Sequence, residues 1–102
     1  MDQQERSLEI AFDRANATVG VRGVVDAPAA HNLREFVELV LRTGVRRLVV
    51  DLTEVEVLHT VGVRELDDGV RAARACGVVV EVRAPDGCVA RRVLDLVDRT
   101  PR

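Results

Sequence analysis

The sequence predicts an α/β domain in which helices pack on a mixed sheet of four to five strands, with the element order β-β-α-β-α-β-α. Two patterns predict it. Short segments alternate apolar with polar residues or form apolar runs, and longer segments repeat apolar residues every three or four positions. A length of 102 residues with 47% hydrophobic residues suffices for one packed core. We therefore expect a single domain over residues 1–102, with an ordered core of about 7–98.

The first two strands are predicted to form an antiparallel hairpin. "SLEIAFD" places Leu8, Ile10 and Phe12 on one side of a half-buried strand, and "TVGVRGVV" resumes the same alternation. The connection "RANA" is short, and Asn16 within it tolerates left-handed backbone geometry.

The first helix is predicted to begin at Asp26, because aspartate caps free amides and Pro28 is tolerated in a first turn. Gly44 is placed to end this helix. Four apolar residues recur at helical spacing, namely Leu33, Phe36, Val37 and Val40. Four charged residues are predicted to face away from the core: Arg34, Glu35, Glu38 and Arg42.

The next unit is a strand followed by a second helix. "RRLVVDL", residues 46–52, has the continuous apolar run typical of a central strand covered on both faces. A short turn is predicted after Leu52, and then a helix from about Thr60 to Gly77. The residues of this helix predicted to face inward are Val63, Leu66, Val70 and Ala73. Those predicted to face outward are Arg64, Asp67, Asp68, Arg71 and Arg74. Gly69 inside this helix costs about 1 kcal/mol relative to alanine, which a close backbone contact or simple tolerance would explain.

The last unit is predicted to be a further buried strand, "VVVEVR", and a final helix. Pro85 and Asp86 break the chain and cap this helix, whose inward residues are expected to be Val89, Val93, Leu96 and Val97.

Composition argues against several classes of partner. A net charge of −2 and only two aromatic residues, Phe12 and Phe36, oppose nucleic-acid binding by charge or base stacking. No apolar run approaches the roughly 20 residues of a membrane span, so direct membrane insertion is not expected. The polar start "MDQQERS" is unlike a signal peptide, which favours the cytoplasm.

Catalysis and cofactor binding are also not expected. Cys76 and Cys88 have no metal-ligand spacing, and we expect two reduced thiols that are wholly or partly buried. The glycines form no phosphate-binding loop, and no nucleophile elbow is present. The sequence therefore predicts a protein that is not an enzyme and that needs no cofactor or metal.

The strand-to-helix connection is the candidate functional segment. In open α/β sheets, binding groups lie beyond the carboxyl ends of parallel strands, and the first amides of a helix are unpaired donors. Thr60 is a candidate N-cap, and Gly62 would let a partner approach the backbone closely. The alternative is that both residues serve only the start of the helix.

Three segments together resemble the STAS family, which comprises the anti-sigma factor antagonists and related domains of sulphate transporters. They are "RGVVDAPAA", "LVVDLTEVEVLHTVGVREL" and "GVVVEVRAPDGCVARRVLDLV", in the family's order and spacing, and the resemblance runs from Leu8 to about Val97. It implies a STAS-like fold and a phosphorylation switch. An unphosphorylated antagonist docks an anti-sigma factor that is itself a serine kinase of the histidine-kinase-like ATPase type. Phosphorylation of the second serine of a D-S-S-G motif breaks the complex.

The sequence departs from the family at this motif. His59 stands at the family's aspartate, Thr60 at its first serine and Val61 at the phospho-acceptor, while Val63 replaces the usual leucine. Valine has no hydroxyl group, so Val61 cannot be phosphorylated. We therefore expect constitutive docking or regulation at another place, with Thr60 as a weak candidate acceptor.

The resemblance also implies where the partner docks. We define the docking surface by its predicted residues: Asp26, His59, Thr60, Val61, Gly62, Arg64, Asp67, Asp68 and Arg71. The charged residues of this set would also be explained as a solvated helix face, and Asp26 as an N-cap. The chain is expected to be a monomer or a weak homodimer.

Two other functions remain open at the level of sequence. One is a STAS subunit of an ABC-type lipid or solute transporter, in which no serine switch is required. The other is a scaffold in a larger sensory assembly.

Overall fold

The computed structural model describes residues 8–98 and has the predicted order of strands and helices. The elements are β1 (Glu9–Asp13), β2 (Thr18–Val25), α1 (Ala27–Leu41), β3 (Arg47–Leu58), α2 (Thr60–Ala75), β4 (Val79–Arg83) and α3 (Val89–Asp98). The strands form one four-stranded mixed sheet in the order β1-β2-β3-β4, which confirms the predicted fold class. β1 is antiparallel to β2, and β2, β3 and β4 are parallel.

Within residues 8–98, the helices cover one face of this sheet and no helix covers the other, which we call the open face. Helices α1 and α2 pack on each other and on the sheet, and α3 packs mainly on β3. Two hollows on the open face are lined only by strand and hairpin residues, among them Arg47, Asp51 and Arg83. β3 is therefore central but covered by helices on one face only, which corrects the prediction of cover on both. β4 is an edge strand, not a buried one, and its Val79 side chain is 61% exposed.

β3 continues for six residues past Leu52, where a turn was predicted. Its register with β2 shifts twice, between these pairs: Gly20–Asp51 and Arg22–Glu54, and Gly23–Val55 and Val24–Val57. Each shift inserts one extra residue into β3 and changes which face the following side chains occupy. Leu52, Val55 and Leu58 are consequently buried at a spacing of three instead of two. The predicted turn is therefore wrong. It was predicted because a spacing of three between buried residues does not match the alternation of a strand.

The hairpin turn is held by a side-chain contact of Asn16, not by its backbone conformation. Asn16 Nδ2 donates to Asp13 Oδ2 at 2.7 Å, and this bond lowers the pKa of the Asp13 carboxyl group. The residue with left-handed geometry is Ala17, at φ 50°. The prediction placed this geometry one residue too early.

Caps fix the ends of the first two helices. Asp26 Oδ1 accepts from the Ala29 N–H at 3.0 Å, which confirms Asp26 as the N-cap of α1. At the end of α2, the Gly77 N–H donates to Arg74 O at 2.9 Å and the Val78 N–H to Ala73 O at 3.1 Å. This pair of bonds is a Schellman motif, and Gly77 supplies its left-handed residue at φ 89°.

The start of α3 differs from the prediction. The Cys88 sulphur accepts from the Arg91 N–H at 3.4 Å, so Cys88 and not Asp86 occupies the capping position. Val89 and Leu96 are 38% and 64% exposed, whereas Ala90 is fully buried and faces the core. Cys88 is partly buried as expected, but Cys76 is exposed.

The core is formed by aliphatic side chains from all layers, and no polar side chain is buried among residues 8–97. Arg34, predicted to face solvent, lies between α1 and α2, and its Nη1 atom is 3.4 Å from Glu65 Oε1. The Arg34 side chain covers Gly69. A Cβ atom at Gly69 would be 3.5 Å from Arg34 Cγ, which is an ordinary contact, so tolerance explains this glycine.

Candidate functional site

Two helix starts lie side by side where β2 and β3 end. Val25 and Leu58 are paired across the two parallel strands, and each is followed by the N-cap of a helix, Asp26 and His59. The His59 N–H donates to Val25 O at 3.0 Å and ties the start of α2 to the end of β2. The two N-cap residues of the docking surface are therefore brought together by the sheet itself.

The two helix starts are capped differently. The α1 start uses the Asp26 carboxylate, but the N-cap of α2 is His59, which makes no side-chain capping bond. Thr60 is the first residue of α2, so its predicted role as N-cap was wrong. The His59 carbonyl accepts from the N–H groups of Gly62 and Val63 at 2.9 and 3.1 Å, as the first turn of a helix requires.

Gly62 faces the interior and not a partner. It is buried, and a Cβ atom there would be 3.0 Å from Val25 O and 3.6 Å from Ala30 Cβ. The close approach that requires glycine is the packing of α2 on the end of β2 and on α1. This corrects the prediction that Gly62 lets a partner approach the backbone closely.

Because their surroundings differ, replacing each of the two glycines of α2 with alanine is expected to change the stability of the domain in opposite directions. We expect Gly69→Ala to raise the free energy of unfolding by about 1 kcal/mol, because helix propensity improves and the new methyl group has room. We expect Gly62→Ala to lower it by about 1–3 kcal/mol, because the methyl group would press on the Val25 carbonyl. Urea unfolding of the two variants beside the natural chain measures both. A shift in the same direction for both would contradict this packing.

Beside the exposed polar residues His59 and Thr60, the helix start also exposes apolar side chains. The Val61 side chain is 47% exposed and that of Val57, near the end of β3, is 39% exposed. Val57 is paired with the partly exposed Val24 of β2. Sequence reasoning missed Val24 and Val57, because β3 was expected to end at Leu52. With β3 extended to Leu58, Val24 and Val57 lie at the carboxyl ends of β2 and β3, close to the start of α2.

The outward face of α2 is charged, as predicted: Arg64, Asp67, Asp68 and Arg71 are all exposed. Arg71 Nε lies 3.0 Å from Asp67 Oδ2, one turn apart on the helix. Both side chains are about half exposed, and such pairs stabilise a helix only slightly. These charges are accessible to a partner.

The described residues give little support for chemistry at this site. Between residues 8 and 98, no group of three or more His, Cys, Asp or Glu side chains is placed to hold a metal ion. None of the three helices has the length and apolar character needed to cross a membrane. The helix start combines exposed apolar side chains with a charged rim, an arrangement typical of protein interfaces.

The fold is that of a small α/β domain in which three helices pack on a four-stranded mixed sheet. A family model described as "Mlab, STAS domain" matches residues 8–98, and the chain belongs to this STAS family. The resemblance found in the sequence is thereby confirmed.

Solved structures agree on the fold. An anti-sigma factor antagonist from Mycobacterium paratuberculosis superposes with a TM-score of 0.73 at 24% identity, over 92% of this chain and 82% of that one. The unphosphorylated anti-sigma factor antagonist SpoIIAA gives a TM-score of 0.66 at 18% identity, over 90% and 81%. At these identities the likeness shows the fold.

A third match concerns part of a longer protein. The crystal structure of Mglu shares 31% identity with a TM-score of 0.64, over 78% of this chain but only 20% of that chain. The present chain therefore spans about a fifth of that protein. No curated protein matched the sequence.

Proposed function

We propose that this chain is a non-enzymatic regulator that acts in the cytoplasm and binds an anti-sigma factor through the docking surface, in which the buried Gly62 only shapes the start of α2. The observation that carries the proposal is Val61, which is 47% exposed on the first turn of α2, at the position the STAS pattern gives to the phospho-acceptor. The likeness in fold to anti-sigma factor antagonists supports the same class of partner.

The chemistry of Val61 favours constitutive binding. Its side chain has the size of threonine but no hydroxyl group, so a kinase cannot add charge there. The surface then stays uncharged at this position, as it is in an unmodified antagonist. Phosphorylation would introduce roughly −1.5 to −2 charges in an apolar interface, which disrupts it by desolvation and repulsion.

The partner is identified by retention from lysate. The purified chain is used as bait in a lysate of its host, and mass spectrometry identifies what it retains. We expect an anti-sigma factor with an ATP-binding kinase domain, retained equally with and without ATP. Retention of a transporter ATPase would instead support the transporter subunit, and a large multi-component assembly would support the scaffold.

Restoring the hydroxyl group should restore the switch. With a kinase-type partner, we expect Val61→Ser to be phosphorylated at the introduced serine and to dissociate when ATP is added, while the natural chain stays bound. A phosphopeptide map checks the site, and Thr60→Val in the Val61→Ser background controls for the neighbouring hydroxyl group. Phosphate on Thr60 of the natural chain would contradict constitutive docking.

A further inference from the structure

In the part of the chain that the structure describes, strand β4 pairs with β3 on one side and has no neighbouring strand on the other. Every second residue of β4 directs its backbone groups to this free edge. The Val79 N–H donates to Arg46 O at 2.9 Å. In a parallel ladder, residues bonded to the neighbouring strand alternate with residues that point away from it. The backbone N–H and C=O groups of Val80 and Val82 therefore point to the free edge of β4, while the Val80 side chain lies in the core. Such an edge is a template for another strand.

Two arginine side chains donate hydrogen bonds to backbone carbonyl groups along this edge. Arg74 of α2 donates from Nη2 to Val80 O at 2.8 Å. Arg91 of α3 donates from Nε to Ala84 O at 2.7 Å, at the next outward position after Val82. Arg91 is also held by Asp95, whose Oδ1 atom lies 3.2 Å from Arg91 Nη1. The acceptors on both sides of Val82 are thus already bonded within the chain.

The sequence of β4 is complementary in charge to a second copy of itself. The segment "EVR", residues 81–83, reads Glu-Val-Arg, so antiparallel pairing centred on Val82 sets Glu81 opposite Arg83 of the second copy and Arg83 opposite its Glu81. Opposite charges in facing positions stabilise an antiparallel pair. In the same register, Val80 lies opposite Ala84 of the second copy, so the outward backbone groups face each other. The arrangement has two-fold symmetry and closes as a dimer.

The exposed side chains fit this register. Val79, Glu81 and Arg83 all point to the open face of the sheet, where Val79 is 61% exposed. Arg83 at present reaches Asp51 and Glu81 only at 3.9 and 4.0 Å, with about half of its side chain exposed. It is therefore able to turn towards a second copy.

We propose that the free edge of β4 is a latent interface for a second copy of this chain, which Arg74 and Arg91 block in the natural chain by bonding its carbonyl groups. The natural chain is then monomeric, and removal of an arginine makes the Val80 or Ala84 carbonyl available to the facing strand. This interface is separate from the docking surface and does not depend on the proposed function.

The test compares two single arginine variants of the full chain by sedimentation velocity over a concentration series. Arg74→Ala releases the Val80 carbonyl. Arg71→Ala is the matched control, since Arg71 lies on the same helix, carries the same charge and pairs only with Asp67 among the contacts of the described chain. We expect Arg74→Ala to dimerise at least about tenfold more tightly than the natural chain, and Arg71→Ala to behave like the natural chain.

A second substitution tests the register. In the Arg74→Ala background, Glu81→Arg sets arginines opposite each other in two places, and we expect this to reverse the gain in association. Equal association of Arg74→Ala and Arg71→Ala would overturn the proposal, as would a dimer that Glu81→Arg leaves unchanged. Circular dichroism monitors folding. If Arg74→Ala unfolds, Arg74→Met, which keeps an unbranched apolar stem without a donor, replaces it in the same comparison.

Discussion

Val61→Glu is expected to weaken binding of the proposed anti-sigma factor partner by at least about 100-fold. The side chain is exposed at the centre of the docking surface, between the end of β3 and the outward face of α2. A carboxylate there would have to lose its water on binding without gaining a partner in an interface suited to valine. The carboxylate also imitates part of the charge that phosphorylation adds in the anti-sigma factor antagonists that this chain resembles.

The matched control is Val79→Glu. Val79 is 61% exposed and lies on the open face of the sheet, in the edge strand β4. Net charge changes equally in both variants, so general repulsion cannot separate them. Calorimetric titration of each variant with the partner identified from lysate provides the affinities. Equal affinities would show that the first turn of α2 is not where the partner binds, even if the partner itself is correct.

The largest effect on stability is expected for Leu33→Ala, at about 3 kcal/mol, within the usual range for a buried leucine. Leu33 is 2% exposed and packs in the core between α1 and the sheet. Domains of this size are stabilised by only about 5–15 kcal/mol, so the loss is a large share of the total. The melting temperature should fall by roughly 15 °C.

Leu39→Ala provides the control on the same helix. Leu39 is 57% exposed, so the same substitution removes little buried surface, and we expect a change within about 0.5 kcal/mol. Thermal and urea unfolding of both variants measure the difference. A loss at Leu39 as large as that at Leu33 would mean that the exposed side of α1 is covered by something other than solvent.

Much of the fold could be predicted, because local patterns and tertiary packing agree over most of the chain. The alternation in β1 and β2, the helical repeat of α1 and α2, and the capping residue Asp26 were all confirmed. Each of these signals is contained within a few neighbouring residues. Periodicity therefore suffices to find them.

The second half of β3 could not be predicted because its bulges remove the strand pattern. Leu52, Val55 and Leu58 are buried three residues apart, and only the pairing with β2 shows that the segment is extended. The exposed residues Leu96 and Val89 were misplaced for a related reason. A helical repeat shows which positions are apolar but not how much of α3 its neighbours cover.

The start of α2 was predicted more accurately than the roles of its residues. The helix start was found at the correct residues, but the roles of Thr60 and Gly62 depended on contacts across the fold. Gly62 is explained by the Val25 carbonyl, which is distant in sequence. Capping at His59 and Thr60 depends on where the extended β3 ends, and that end was itself misplaced.

The hydrogen bond from the His59 N–H to the Val25 carbonyl, at 3.0 Å, also limits how this surface can be regulated. This bond holds the start of α2 against the end of β2, one of the two central strands, and Gly62 leaves no space between the helix and β2. A partner therefore meets a preformed shape and loses little free energy in ordering it. A switch at this position has to alter the chemical character of the exposed side chains, because their positions are fixed by the backbone of two neighbouring strands.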